Sequence, residues 1–174
     1  MKKPNPHMGS EEWSQLCTIM TVLRPKRALE WGSGGSTKAL LSNFPSLERL
    51  LSIEHDPGWY QRVKSQTTDE RLDLVHISAR EAEPPAPLIY TRFCARDKWR
   101  KKAETNRVIF SEYIDFPKGY GMLFDFILID GRARNFCLKT GWECLNNGGV
   151  MVLHDAQRAE YQPAITSLPN HLFL

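Results

Sequence analysis

Five short apolar runs punctuate the chain: RALEW (27–31), RLLSIEH (49–55), LDLVHI (72–77), LFDFILID (123–130) and GGVMVLHD (148–155). Each has the length of a strand, and the last two are nearly continuous in apolar residues, as strands buried on both faces tend to be. The segments between them follow a helical pattern instead. STKALLSNF offers Ser36 or Thr37 as an N-cap, and DPGWYQRVKSQTTD offers Asp56 as a cap with Pro57 at the first helical position. RNFCLKTGWECLNNGG spaces Phe136, Leu138, Trp142 and Leu145 helically and predicts a helix that stops at Gly148-Gly149. Strand and helix in alternation predict an α/β fold, a doubly wound and mostly parallel sheet with helices on both faces.

Ligands of such sheets bind at the carboxyl ends of the strands. Here those ends carry Glu30, then Glu54-His55-Asp56, then Asp130, then His154-Asp155. Four strands each ending in a carboxylate exceed what polar loops alone would supply, and this convergence marks the candidate site.

The stretch from about 78 to 121 breaks the alternation and reads as an insertion between the third and fourth strands, part of a lid or a partner surface. It opens with the proline-rich EAEPPAP, unsuited to helix or central strand. TRFCARDKWRKKAETNR then sets seven Lys/Arg against two acids. Phe93 and Trp99 among these cations admit two readings. One is RNA binding through stacking and phosphate contacts. The other is a solvated helix face with Trp99 packed inward, and the lack of an accompanying RNA-binding signature leaves nucleic acid an unexpected partner.

Composition adds limits. The 174 residues are 41% hydrophobic and 25% charged with a net charge of +3, which predicts one soluble domain spanning 1–174 with a real core. No apolar run approaches a membrane span, and MKKPNPHMGSEEW lacks the apolar stretch of a secretory signal. Cys17, Cys94, Cys137 and Cys144 form no CxxC pair or zinc-spaced cluster. They read as reduced and mostly buried, which implies a cytoplasmic setting.

The segment LEWGSGGST decides between ligands. Gly32-x-Gly34-x-x-Thr37 satisfies two of the three glycine positions of a dinucleotide loop, with threonine at the third. Glu30 stands two residues before the first glycine. Like charges about 4 Å apart repel by roughly 4 kcal/mol near a surface, so a carboxylate there opposes a pyrophosphate and favours a ligand with a cationic amine. S-adenosylmethionine has that amine and no phosphate. Glu54, a little over twenty residues past the first glycine, suits ribose hydroxyls.

LEWGSGGST, SIEHDPGWYQRV, FDFILIDGRAR and GGVMVLHDAQRAEY together resemble the class I S-adenosylmethionine-dependent methyltransferases, over most of residues 28 to 161 with the insertion unmatched. The chain looks closest to small bacterial methyltransferase-like proteins of unassigned substrate. The resemblance implies a Rossmann-like sheet and a cofactor site formed by Glu30, Gly32, Ser33, Gly34, Gly35, Ser36, Thr37, Glu54, His55 and Asp130. It is similar in outline to metal-dependent O-methyltransferases, in which acids after the fourth and fifth strands hold a divalent ion. Asp130 and Asp155 match those acids, but Ala156 stands where an asparagine would be, so no metal ligand set is assigned. If a metal took part, octahedral binding of the Mg²⁺ kind would be expected.

For the chemistry, Asp130, His154 and Asp155 are the catalytic candidates. His154 reads either as a general base or as a strand-end histidine bonded to backbone. Arg132 and Arg134 read either as a clamp for an acidic substrate or as partners of Asp130 or Asp155 that shape the loop. The sheet of the family continues into further strands, whereas this sequence ends at HLFL. The expectation is a sheet shortened at its C-terminus, with an exposed edge through which a homodimer could form. Three functions follow from these readings: methyl transfer to a small-molecule acceptor at oxygen or nitrogen, a non-catalytic cofactor- or partner-binding module, and, disfavoured by Glu30 and Thr37, a nicotinamide-dependent oxidoreductase.

Overall fold

The computed structural model describes residues 8–85 and 94–172. Phe93, named above, lies outside them. Five strands form one parallel sheet: β1 (Arg27–Trp31), β2 (Arg49–Glu54), β3 (Leu72–His76), β4 (Phe124–Ile129) and β5 (Leu145–Leu153), in the order β3-β2-β1-β4-β5. The chain works outward from β1 to β3, then crosses over to β4, so the order reverses beside β1. That switch point opens a crevice at the carboxyl ends of β1 and β4.

Alternation along the strands sends side chains to two cores. Leu29 and Trp31 of β1, with Leu51, Ile53, Ile127 and Ile129, face one way. That face is covered by α4 (Ala95–Thr105), α5 (Ser111–Asp115), α6 (Arg134–Cys144) and α7 (Gln162–Thr166). Ala28, Leu50, Phe126 and Leu128 face the other way, onto α1 (Ser10–Leu23) and α2 (Gly35–Asn43). The remaining helix, α3 (Pro57–Gln66), follows β2 and begins as the sequence indicates, with Pro57 in its first turn and the Asp56 carboxylate accepting the Trp59 N–H at 2.6 Å.

Three local expectations are corrected. The N-cap of α2 is Gly34, and Ser36 and Thr37 lie inside its first turn. The helix α6 ends at Cys144 rather than at Gly148-Gly149. Those glycines sit in β5, where the register slips between Phe124↔Leu145 and Phe126↔Val150 and Gly148 takes up a φ of +79°. The insertion is also more regular than its composition suggests. It contains α4 and α5, and Trp99 is packed inward at 6% exposure beside Phe110 and Tyr113. Two of its apparent loose cations are matched to acids, Lys102 to Glu81 and Arg107 to Asp115. The Ser10–Leu23 helix, which seats Leu16 and Met20 against Ala28 and Leu40, belongs to no motif read above. No helix among the described residues is long and apolar enough to cross a membrane.

Candidate active site

The exits of β1, β2, β4 and β5 open into a cavity of about 570 Å³. Ten residues named from the sequence for cofactor or catalysis line it: Gly32, Ser33, Gly34, Gly35, Ser36, Glu54, His55, Asp130, His154 and Asp155. Arg132 and Arg134 line it as well. Trp59, Glu83, Arg96, Arg100 and Gly131 complete the wall without having been foreseen, beside Asp56, which the sequence marks at the end of the second strand. Two foreseen residues, Glu30 and Thr37, lie beneath the loop and outside the cavity.

The position of Glu30 follows from strand alternation. It shares the face of Ala28, so it points down toward the start of α2 and away from the ligand space. There it is fully buried and accepts hydrogen bonds from Ser36 Oγ and Thr37 Oγ1 at 2.5 Å each and from Ser52 Oγ at 2.7 Å. Burial, opposed by these three hydroxyls, pushes its pKa up to about 7. Direct pairing of Glu30 with a cationic amine therefore gives way to another role: its carboxylate anchors the loop to the N-terminus of α2, where the helix dipole favours negative charge. Thr37 serves the same anchor, and its Oγ1 also accepts the Gly34 N–H at 2.8 Å.

The loop itself is pinned from both sides. Gly32 has a φ of +95°, and a Cβ there would fall 2.7 Å from the Gly131 backbone. A Cβ on Gly131 would fall 2.1 Å from the buried Tyr113 hydroxyl. The exits of β1 and β4 approach this closely only because both residues are glycine. On the cavity side, Trp59 Nε1 donates to the Ser33 carbonyl at 2.5 Å.

At the end of β2, Glu54 Oε1 accepts the backbone N–H groups of His55 and Asp56, each at 2.8 Å, while among the described residues Oε2 has only a 3.3 Å contact from Ser33 Oγ. His55 lies between two carboxylates, its Nδ1 3.0 Å from Glu54 and its Nε2 3.6 Å from Glu83, with its ring against Trp99 and Phe110. Burial works against its charged form, but the two acids outweigh burial and raise its pKa.

On the other side of β1, Arg134 organises the exits of β4 and β5. Its guanidinium donates to the carbonyls of Gly131 (3.0 Å), His154 (2.6 Å) and Asp130 (3.0 Å), and to the carboxylates of Asp130 (3.0 Å) and Asp155 (3.3 Å). Of the two readings for this arginine, the structure supports the loop-shaping one. His154 is bonded through Nδ1 to Asp130 Oδ1 at 2.8 Å, a carboxylate rather than a backbone group, and that bond, opposed by burial, raises its pKa. Its Nε2 lies 3.4 Å from the Glu12 carboxylate.

A metal does not suit this arrangement. The Arg134 guanidinium already stands between Asp130 and Asp155, and Arg158 meets Asp155 at 2.5 Å. Among the described residues, no three His, Cys, Asp or Glu side chains are grouped to hold an ion.

No protein-family model and no curated protein matches the chain. Solved structures share its fold. A methyltransferase-like protein from Silicibacter pomeroyi DSS-3 superposes with a TM-score of 0.66 at 20% identity, over 100% of this chain and 86% of that one. The O-methyltransferase TomG from Streptomyces achromogenes, involved in tomaymycin synthesis and solved in complex with S-adenosylmethionine, gives a TM-score of 0.55 at 14% identity, over 94% and 62%. Precorrin 8w decarboxylase from Methanobacterium thermoautotrophicum gives 0.56 at 13%, over 94% and 74%. These likenesses define the class of the fold: the chain has a class I methyltransferase-like, Rossmann-like α/β architecture.

Proposed function

We propose that the chain is an S-adenosylmethionine-dependent methyltransferase acting on an oxygen or nitrogen of a small-molecule acceptor. The observation that most supports this reading is the convergence, in one cavity, of the Gly32–Ser36 loop, the Glu54 carboxylate and the His154–Asp130 pair. A volume of about 570 Å³ is in the range of small-molecule sites.

The residues present fit the cofactor. Gly32 and Gly34 let the loop follow its tight path past Gly131 and Trp59 along the cavity wall. The lightly engaged Oε2 of Glu54 is available to ribose hydroxyls. The contacts of Asp130 with Arg134 and His154 both use Oδ1, which leaves Oδ2 to meet a cationic amine, the task first assigned to Glu30. With Glu30 sealed away, its charge no longer argues against a dinucleotide. The preference for S-adenosylmethionine rests instead on the loop, Glu54 and Asp130, and on structural neighbours such as TomG that bind it.

When bound, S-adenosylmethionine supplies an electrophilic methyl group on a sulfonium, and the electrons of the broken C–S bond remain on sulfur. His154 handles the acceptor proton. Its Nδ1–H is held by Asp130, so Nε2 carries the lone pair that takes the proton, and Asp130 steadies the resulting imidazolium. Arg134 fixes Asp130 and Asp155 as a positioning residue. No step runs through a metal.

The test is calorimetry of the protein with S-adenosylmethionine, S-adenosylhomocysteine and NAD, repeated on Glu54→Gln. The reading expects binding of the first two and at least a tenfold loss in the variant. Binding of NAD alone, or none of the three by a folded protein, would sink it.

A further inference from the structure

The cavity wall is drawn from two sides of the strand order. Asp130, His154 and Asp155 leave β4 and β5, whereas His55 and Glu83 follow β2 and β3. On the first side two aspartates face Arg134, His154 and Arg158. On the second, Glu83 Oε1 meets Arg96 Nε at 2.6 Å, Arg100 Nε at 3.1 Å and Arg132 Nη2 at 3.8 Å.

Three guanidinium groups gather around the one carboxylate of Glu83, while Glu54 meets the other nitrogen of His55. Arg96 and Arg100 are four residues apart on α4 and so present their charges from one face. Arg132 arrives from the opposite side, after β4, with most of its side chain buried and its Nε lacking a hydrogen-bond partner among the described residues. Crowding like charges in a partly desolvated space is unfavourable unless an anion offsets it. Glu83 does so in part, and is held well on the ionised side by its partners although burial opposes this.

We propose that Arg96, Arg100 and Arg132 form an anion subsite that takes the phosphate or carboxylate group of a small-molecule ligand, with Glu83 as the internal counter-ion competing for the same donors. Guanidinium groups suit either anion because their forked donors match paired oxygens. The subsite stands on these side chains and does not depend on the proposed methyl transfer. It also changes the part given to arginine in an acidic-substrate clamp: Arg132 keeps it, Arg134 does not, and two arginines of the insertion join.

Titration calorimetry with inorganic phosphate and, in a parallel arm, succinate tests this at constant ionic strength near pH 7. The proposal expects one saturable site for at least one anion, and the tighter of the two names the acidic group. Arg100→Gln, on a third-exposed side chain, weakens binding by about tenfold, the effect of one charge-assisted bond. Glu83→Gln tightens it by a similar factor, because the competing carboxylate is gone. Circular dichroism checks that each variant is folded, and if Glu83→Gln is not, the wild type and Arg100→Gln decide. Saturation by neither anion in the wild type, or binding indifferent to Arg100→Gln, would overturn the subsite and leave the cluster as a knot tying the insertion to the sheet.

Discussion

Glu30 and Ser52 are register partners on neighbouring parallel strands, and the Ser52 hydroxyl donates to the Glu30 carboxylate at 2.7 Å. With Ser36 and Thr37 completing the set, a fully buried acid ties β1, β2 and the start of α2 into one unit just under the glycine loop. The loop's conformation is thus held from inside the protein, before any ligand arrives.

That arrangement has a pH signature. The pKa of Glu30 is about 7 in the folded protein against an ordinary 4.5, so between those values the folded state retains a proton that the unfolded state has released. Stability therefore falls as pH rises from about 4.5 to 7, by a total of about 3 kcal/mol from this group. Urea unfolding across that window shows the decline, and Glu30→Gln flattens it. Glu30→Ala leaves three hydroxyls without their acceptor and costs about 2–4 kcal/mol. Because the carboxylate does not reach the cavity, Glu30→Gln keeps S-adenosylhomocysteine affinity within about threefold; a loss of tenfold or more would restore a direct electrostatic role.

Gly131 and Tyr113 make a second prediction. Gly131→Ala places a methyl group 2.1 Å from the Tyr113 hydroxyl and costs about 1–3 kcal/mol by overpacking. Among the described residues no group meets that buried hydroxyl in good hydrogen-bond geometry, so Tyr113→Phe alone is neutral to stabilising. The double variant recovers at least half of the loss, a coupling readable by a thermodynamic cycle. Additive effects would mean that the two residues do not meet.

A third concerns Arg134. Its guanidinium fills the space between Asp130 and Asp155, so millimolar Mg²⁺ or EDTA shifts the melting temperature by less than about 1 °C and leaves S-adenosylhomocysteine affinity unchanged. Arg134→Ala removes five donated hydrogen bonds and leaves two carboxylates facing each other. Its cost is about 3–5 kcal/mol, as for a buried pair that loses one partner. Mg²⁺-dependent stabilisation of the wild type would contradict this placement.

Much of this was legible in the sequence because parallel sheets are regular. Each apolar run ending in a polar cluster marks a strand exit, and the exits of one sheet converge, so ten of the named cofactor and catalytic residues fall on one cavity. Glu30 shows where the reading stopped short. The signal was there, since Leu29 and Trp31 set the phase of β1 and place Glu30 with Ala28, but proximity in sequence to the glycines outweighed phase. Glu83 carries no such signal. Its meeting with Arg96, Arg100 and Arg132 joins three separate segments, and only the packing of α4 over the sheet brings them together. The glycines at 148 and 149 misled for another reason: positive φ serves a strand irregularity as well as it ends a helix.

The last prediction follows the base. The Asp130 carboxylate favours the charged form of His154, while burial and Arg134 oppose it, and the net shift is upward. An imidazole resonance titrating above 6.5 is therefore expected for His154 by NMR, and Asp130→Asn moves it down. A group whose pKa is raised on folding stabilises most below its unfolded value, so this contribution is complete below about pH 6.5 and fades as pH rises through the folded value. Catalysis runs the other way. The base acts only when neutral, so turnover of a protic acceptor rises with pH through the same ionisation, and His154→Gln lowers the rate by about 10²–10⁴ while leaving S-adenosylhomocysteine affinity within a few-fold. A variant that loses affinity and rate in equal measure would place His154 among the groups that hold the ligand and take the proton from its charge.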